Sequence, residues 1–200
     1  MKKLIIIACL LLVCGCSVVR IDTTDIDNIV SVVLSKDNTL YNQIGKGYKY
    51  YVPRGVSYMD TNANNDVLYS NGNYYYLYID IISYYYQVVK DYEMNSNAYY
   101  SKIVDIGGKK GYLEINEQKD GRYFVEFMYN YAKIEAIVDQ EDINDVVLDA
   151  SYILSTVKFN NNVIKTMLDD NFLVTEEKYD IFTSKQETDD FLKLEDGVDS

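Results

Sequence analysis

Acid–base and nucleophilic chemistry in this chain has only carboxylates to draw on. The 200 residues include no histidine and no tryptophan, and the three cysteines, Cys9, Cys14 and Cys16, all fall near the start. Serine–histidine and cysteine–histidine catalysis and histidine-ligated zinc are excluded, because each needs an imidazole or a thiolate. What remains is 31 Asp and Glu. Two carboxylates flanking a sugar ring can hydrolyse a glycoside, but with so many acids chance pairs are certain, and the sequence singles out no catalytic residue. Gly107-Gly108-Lys109-Lys110 lacks the spacing of a phosphate-binding loop. The expectation is a protein without catalysis and without a cofactor, a carboxylate-dependent glycosidase being the remote alternative.

Two stretches carry more pattern. Asp60-Thr61-Asn62-Ala63-Asn64-Asn65-Asp66 places oxygen donors at alternate positions, as calcium loops do, with Asp60, Asn62, Asn64 and Asp66 as the candidate ligands. It departs from the EF-hand pattern in having Asn65 where the glycine belongs and Asn71 where the bidentate glutamate belongs. The same residues are those of a plain polar turn. The second stretch is NYYYLYIDIISYYYQ, residues 73–87, with seven tyrosines in fifteen positions. Read as a strand over 74–82, its side chains alternate between two faces. The odd set, Tyr75, Leu77, Ile79 and Ile81, suits a main core. The even set, Tyr74, Tyr76 and Tyr78 around Asp80, with Tyr84 and Tyr86 beyond, is the candidate ligand face. Three readings compete for it. Tyrosine is a good strand former and a frequent choice in an AT-rich coding sequence. The even face can lie under a second helical layer. Or it can be a rigid aromatic platform for a glycan or a peptide.

The chain start bears on location. Lys2 and Lys3 precede an apolar run, Leu4 to Val13, too short to span about 30 Å of hydrocarbon as a helix but suited to a secretory leader. Val13-Cys14-Gly15-Cys16 then resembles the lipobox of bacterial lipoproteins. That resemblance implies cleavage after Gly15, lipidation of Cys16, and a protein held on the outer face of the cell membrane by acyl chains. Residues 1–15 would be the signal peptide and 16–24 a lipidated tether. Every cysteine would leave with the leader or carry the lipid, so the mature domain would have no disulfide. Loss of Lys2 and Lys3 leaves 17 basic against 31 acidic residues, a mature charge of −14. A field of that sign excludes binding of nucleic acid through its phosphates and opposes an anionic membrane surface. The expected partners are the membrane, through the lipid, and an unidentified envelope protein or glycan.

The elements that would carry these residues follow from periodicity. Ile26, Ile29, Val30, Val33 and Leu34 form one helical stripe, with Thr24 or Asp25 as its cap. Tyr48 to Val138 reads as a run of short strands. Asn71-Gly72 and Gly107-Gly108 are hairpin turns, Asp120-Gly121 a further turn, and 90–98 a polar loop. Residues 123–129 run on into 132–138 without a turn signal. A second helix starts at Asp139 or Gln140 and ends near Phe159, with Ile143, Val146, Val147, Ala150, Leu154 and Val157 on its buried side. Its acids Glu141, Asp142, Asp145 and Asp149 suit a solvated face that complements the helix dipole, or a docking surface for a basic partner. The spacing leaves no room for crossover helices. It predicts an α+β domain over 25–160: an antiparallel meander with amphipathic helices packed on it, as two layers or as an α/β/α sandwich. Residues 161–200 read as an acidic extension with short helices. Tyr48-Lys49-Tyr50-Tyr51-Val52-Pro53-Arg54-Gly55-Val56 and Ile153-Leu154-Ser155-Thr156-Val157-Lys158-Phe159 resemble the opening strand and closing helix of PsbP-like domains. That resemblance, over roughly 45–160, implies an α/β/α sandwich serving assembly or binding, and carries over no site residue.

Overall fold

A computed structural model describes residues 21–62, 65–89 and 91–169. The expected α+β class holds, with antiparallel sheets and helices packed on them in two layers. Helix α1, Ile26–Leu34, starts where Asp25 accepts a hydrogen bond from the Asp27 amide, and buries Ile29, Val30, Val33 and Leu34. Strands β1 (Gln43–Ile44) and β2 (Tyr48–Tyr50) come next. The meander follows as β3 (Ser57–Asn62), β4 (Asn65–Ser70) and β5 (Asn73–Ile79), then helix α2 (Ile81–Tyr86), then β6 (Tyr100–Ile106), β7 (Lys109–Glu117), β8 (Tyr123–Tyr129) and β9 (Ala132–Val138). A 3₁₀ turn, Gln140–Asp142, leads into helix α3, Ile143–Thr156; the chain continues with β10 (Lys158–Phe159) and helix α4 (Asn161–Asp169).

Seven strands form one antiparallel sheet in the order β3-β4-β5-β9-β8-β7-β6. Its inner face carries Leu68, Tyr75, Leu77, Leu113, Ile115, Val125, Phe127, Ile134 and Ala136, all essentially without solvent contact. Helix α3 lies across β8 and β9 on this face, and α1 packs against α3. The stripe expected for α3 is the buried one, with Val146, Val147, Ala150 and Leu154 at 0 % exposure. Part of its acidic side is turned to internal use: Asp142 accepts from Asn73 Nδ2 at 3.0 Å and Asp149 from the Tyr75 hydroxyl at 3.2 Å. Glu141 and Asp145 remain in solvent.

Four features depart from the periodicity reading. The chain builds a second sheet, β1-β2-β10, separate from the meander. Strand β5 stops at Ile79, because Asp80 caps α2 by accepting from the Ser83 amide at 2.7 Å. The stretch 123–138 is two strands, divided at Asn130-Tyr131, where φ is 53° and 61°. Successive left-handed residues make the tight hairpin turn that elsewhere uses Asn71-Gly72, and a tyrosine in that conformation hides it from a search for glycine. Finally, the core reaches past residue 160: α4, a short helix of the kind expected there, carries Ile164 into it at 0 % exposure, where its side chain sits against Gly47.

Candidate functional site

The outer face of the seven-stranded sheet is where the fold gathers charge. Register pairs Tyr76 with Glu135, Glu135 with Glu126, Glu126 with Glu114, and Glu114 with Ser101. Three glutamates thus stand side by side on neighbouring strands, an arrangement that repels unless it is compensated. The adjacent row runs Tyr78, Lys133, Met128, Tyr112, Ile103. From it Lys133, whose side chain is 1 % exposed, reaches Glu135 at 2.6 Å and Glu126 at 3.8 Å. The Tyr112 hydroxyl donates to Glu126, and the Lys133 ammonium lies 5.6 Å from the centre of the Tyr78 ring.

Residues 91–99 pass over this face as a strap. Tyr92 stacks on Tyr112 with ring centres 4.1 Å apart and planes 3° from parallel. Its hydroxyl donates to Glu114, and Asn95 and Asn116 donate to the same carboxylate at 3.0 and 2.8 Å. Burial works against the Glu114 charge, but the three donors outweigh it and leave its pKa below the usual glutamate range. Burial, then the bond to Glu114, pushes the Tyr92 hydroxyl up to about 12. Burial together with the Glu126 charge pushes Tyr112 well above the ordinary phenol value, so both remain donors at any physiological pH. The glutamates extend along a row rather than converging. Among the described residues no three acidic, cysteine or histidine side chains form a group able to hold a metal ion. Chemically the arrangement is an internal charge network, closed by tyrosines.

Of the residues expected on the ligand face, Tyr76 and Tyr78 are 7 % and 1 % exposed and pack with Tyr112 and Met128 in a small second core. They form neither a face beneath a helical layer nor an open platform, but pack in the company of the strap residue Tyr92. Tyr74 is half-buried at the margin of this cluster, 5.0 Å from Tyr69 between ring centres. Asp80 has left the strand and serves as a helix cap. Tyr84 stacks on Phe159 at 3.9 Å, while Tyr86 is 63 % exposed. As expected from its position between strands, Asp60 to Asn62 belong to β3 and Asn65 and Asp66 to the antiparallel β4. Register sets Asp60 opposite Val67 and Asp66 opposite Thr61, so the two carboxylates project from opposite faces and do not converge on one cation. Asp66 is buried and accepts from the Tyr50 hydroxyl at 2.6 Å. Asn64 and the side chain of Asn62 lie outside the described residues, as does Cys16. No helix among the described residues is long and apolar enough to cross a membrane.

A different opening escaped the sequence reading. Between the small sheet and α4 lies a groove of about 1010 Å³ whose walls include Tyr41, Ile44, Lys46, Lys49, Lys158 and Phe159. Ile44 is 76 % exposed there and Tyr41 49 %. The Lys49 ammonium lies 3.8 Å above the Tyr41 ring, and Lys158 is 3.7 Å from Asp37 on the surface. Nothing in the sequence links Lys49 to Lys158; they become neighbours only because β10 pairs with β2, opposing one to the other. No family model, curated protein or solved structure matches the chain.

Proposed function

We propose that the chain is a lipid-anchored, extracytoplasmic binding module that holds a partner or supports an envelope assembly without catalysis. The observation that carries the reading is the sequence Val13-Cys14-Gly15-Cys16 behind Lys2, Lys3 and a ten-residue apolar run. The geometry of the domain supports its second half. The carboxylates that the fold collects, Glu114, Glu126 and Glu135, are engaged by Tyr92, Tyr112 and Lys133, whereas acid–base work at a glycosidic bond needs them free on either side of a cleft. Capture of a glycan or peptide on the tyrosine face is the second reading. It now rests on the Tyr69–Tyr74 pair at the sheet surface, since Tyr76 and Tyr78 are closed off.

The anchor is tested by metabolic labelling with a palmitate analogue and by cell fractionation. The wild-type chain should carry the label and sediment with membranes, because two or more acyl chains hold a protein stably at about 0.8 kcal/mol per buried CH₂. Cys16→Ala should lose the label and leave the membrane fraction. A variant that still sediments with membranes refutes the anchor.

A further inference from the structure

The groove between the small sheet and α4 is out of character with the rest of the molecule. The chain carries a net charge of −12, yet Lys46, Lys49 and Lys158 line this one opening. Between the lysines the walls combine apolar side chains, Ile44, Phe159, Val163 and Met167, with the polar run Asn160 to Asn162. Ile44 and Val163 are 76 % and 41 % exposed, and Leu40, next to the groove residue Tyr41, is 58 % exposed. Cations beside exposed apolar side chains recognise an acidic peptide that also carries aromatic or aliphatic side chains.

A segment of that chemistry begins at the groove's own wall. Thr166 and Met167 of α4 line the groove, and α4 ends at Asp169. Residues 170–200, outside the described part, contain ten acidic and three basic residues, with Phe172, Tyr179, Phe182 and Phe191 spread among them. Tethering at Asp169 makes the encounter intramolecular, which raises the effective concentration of the segment at the groove. We infer that the groove is a binding site for acidic, aromatic-bearing peptide and that its resident ligand is the chain's own segment 170–200. An outside partner of the same chemistry would then have to displace that segment.

Zero-length carbodiimide coupling, which joins an ammonium to a carboxylate in direct contact, tests this on the full-length chain purified in detergent. The expected result is intrachain links from Lys49 and Lys158 to Asp or Glu of 170–200, found by peptide mapping of the monomer band. They should fall several-fold in 0.5 M salt, which screens such pairs. An Ile44→Asp substitution at the groove mouth should reduce the Lys158 links in the same way. Links from these lysines only to a second copy of the chain, or only to acids outside 170–200, would overturn the inference, and the wild-type map decides this even if the variant fails to fold. The result is independent of the Cys16 experiment, so failure of one leaves the other standing.

Discussion

The ammonium of Lys133 is buried between two carboxylates, and all three groups are lost to water. Removing one member of such a cluster strands the others. Lys133→Met should destabilise the domain by about 3–5 kcal/mol, read as a lower urea midpoint. Adding Glu126→Gln and Glu135→Gln should recover most of the loss, because the charges leave together and the amide oxygen introduced at position 126 still accepts from Tyr112. A triple variant no more stable than Lys133→Met would show that the network is not held by charge compensation. Glu114 gives a pH dependence of definite sign. Hydrogen bonds hold its folded pKa below the unfolded value, so its contribution is complete above the ordinary glutamate range of about 4.3 and is lost as pH falls through the folded pKa. The hydrogen-exchange protection factors over 91–99, corrected for the pH dependence of intrinsic exchange, should therefore fall as the pH drops below the ordinary glutamate range of about 4.3, and Glu114→Gln should flatten that change. Equal protection above and below that range would mean that the strap does not depend on the Glu114 charge.

Two elements depend on single contacts that a variant can probe. Gly111 lies in β7 where a methyl group would fall on the backbone of Met128 and Tyr129 in β8, so the strands cannot keep their spacing around it. Gly111→Ala should cost about 1–3 kcal/mol by overpacking; a neutral variant would show that β7 shifts at no cost. Helix α2 is joined to the small sheet through Tyr84, stacked on Phe159 at 3.9 Å and set edge-on to Tyr131 at 5.7 Å. This contact explains a tyrosine in a left-handed turn, where glycine or asparagine is the usual occupant: the ring is needed by its neighbours. A double-mutant cycle on Tyr84→Ala and Phe159→Ala should give a coupling of about 0.5–1.5 kcal/mol. Additive losses would show that α2 is held elsewhere.

Over the whole sequence acidic residues outnumber basic ones by 12. Self-repulsion at a charge of −12 opposes compaction, and added salt screens it. The melting temperature should rise between low ionic strength and about 0.3 M sodium chloride. A fall would mean that surface ion pairs, such as Lys102 with Asp27, outweigh the repulsion. The same imbalance makes the lysine-lined groove informative, since in a more basic protein three lysines around a hollow would be commonplace.

Much of this architecture was legible from local pattern. The stripe of α1, the buried side of α3, the turns at Asn71-Gly72 and Gly107-Gly108, and the inner face of β5 follow from periods of 3.6 and 2 and from glycine at left-handed positions. Those are properties of neighbouring residues, and neighbours are what a sequence displays. The leader and lipidation at Cys16 that we propose likewise rest only on the order of residues along the chain. Tertiary structure alone decided the rest. Whether Tyr76 and Tyr78 face solvent depended on Tyr92 crossing the sheet, whether Asp80 continued a strand depended on the Ser83 amide, and whether Glu114, Glu126 and Glu135 met depended on the register of β7, β8 and β9. The pairing of β2 with β10 put Lys49 beside Lys158 across more than half of the chain. Long-range register is set by how two faces pack, which no short window of residues contains.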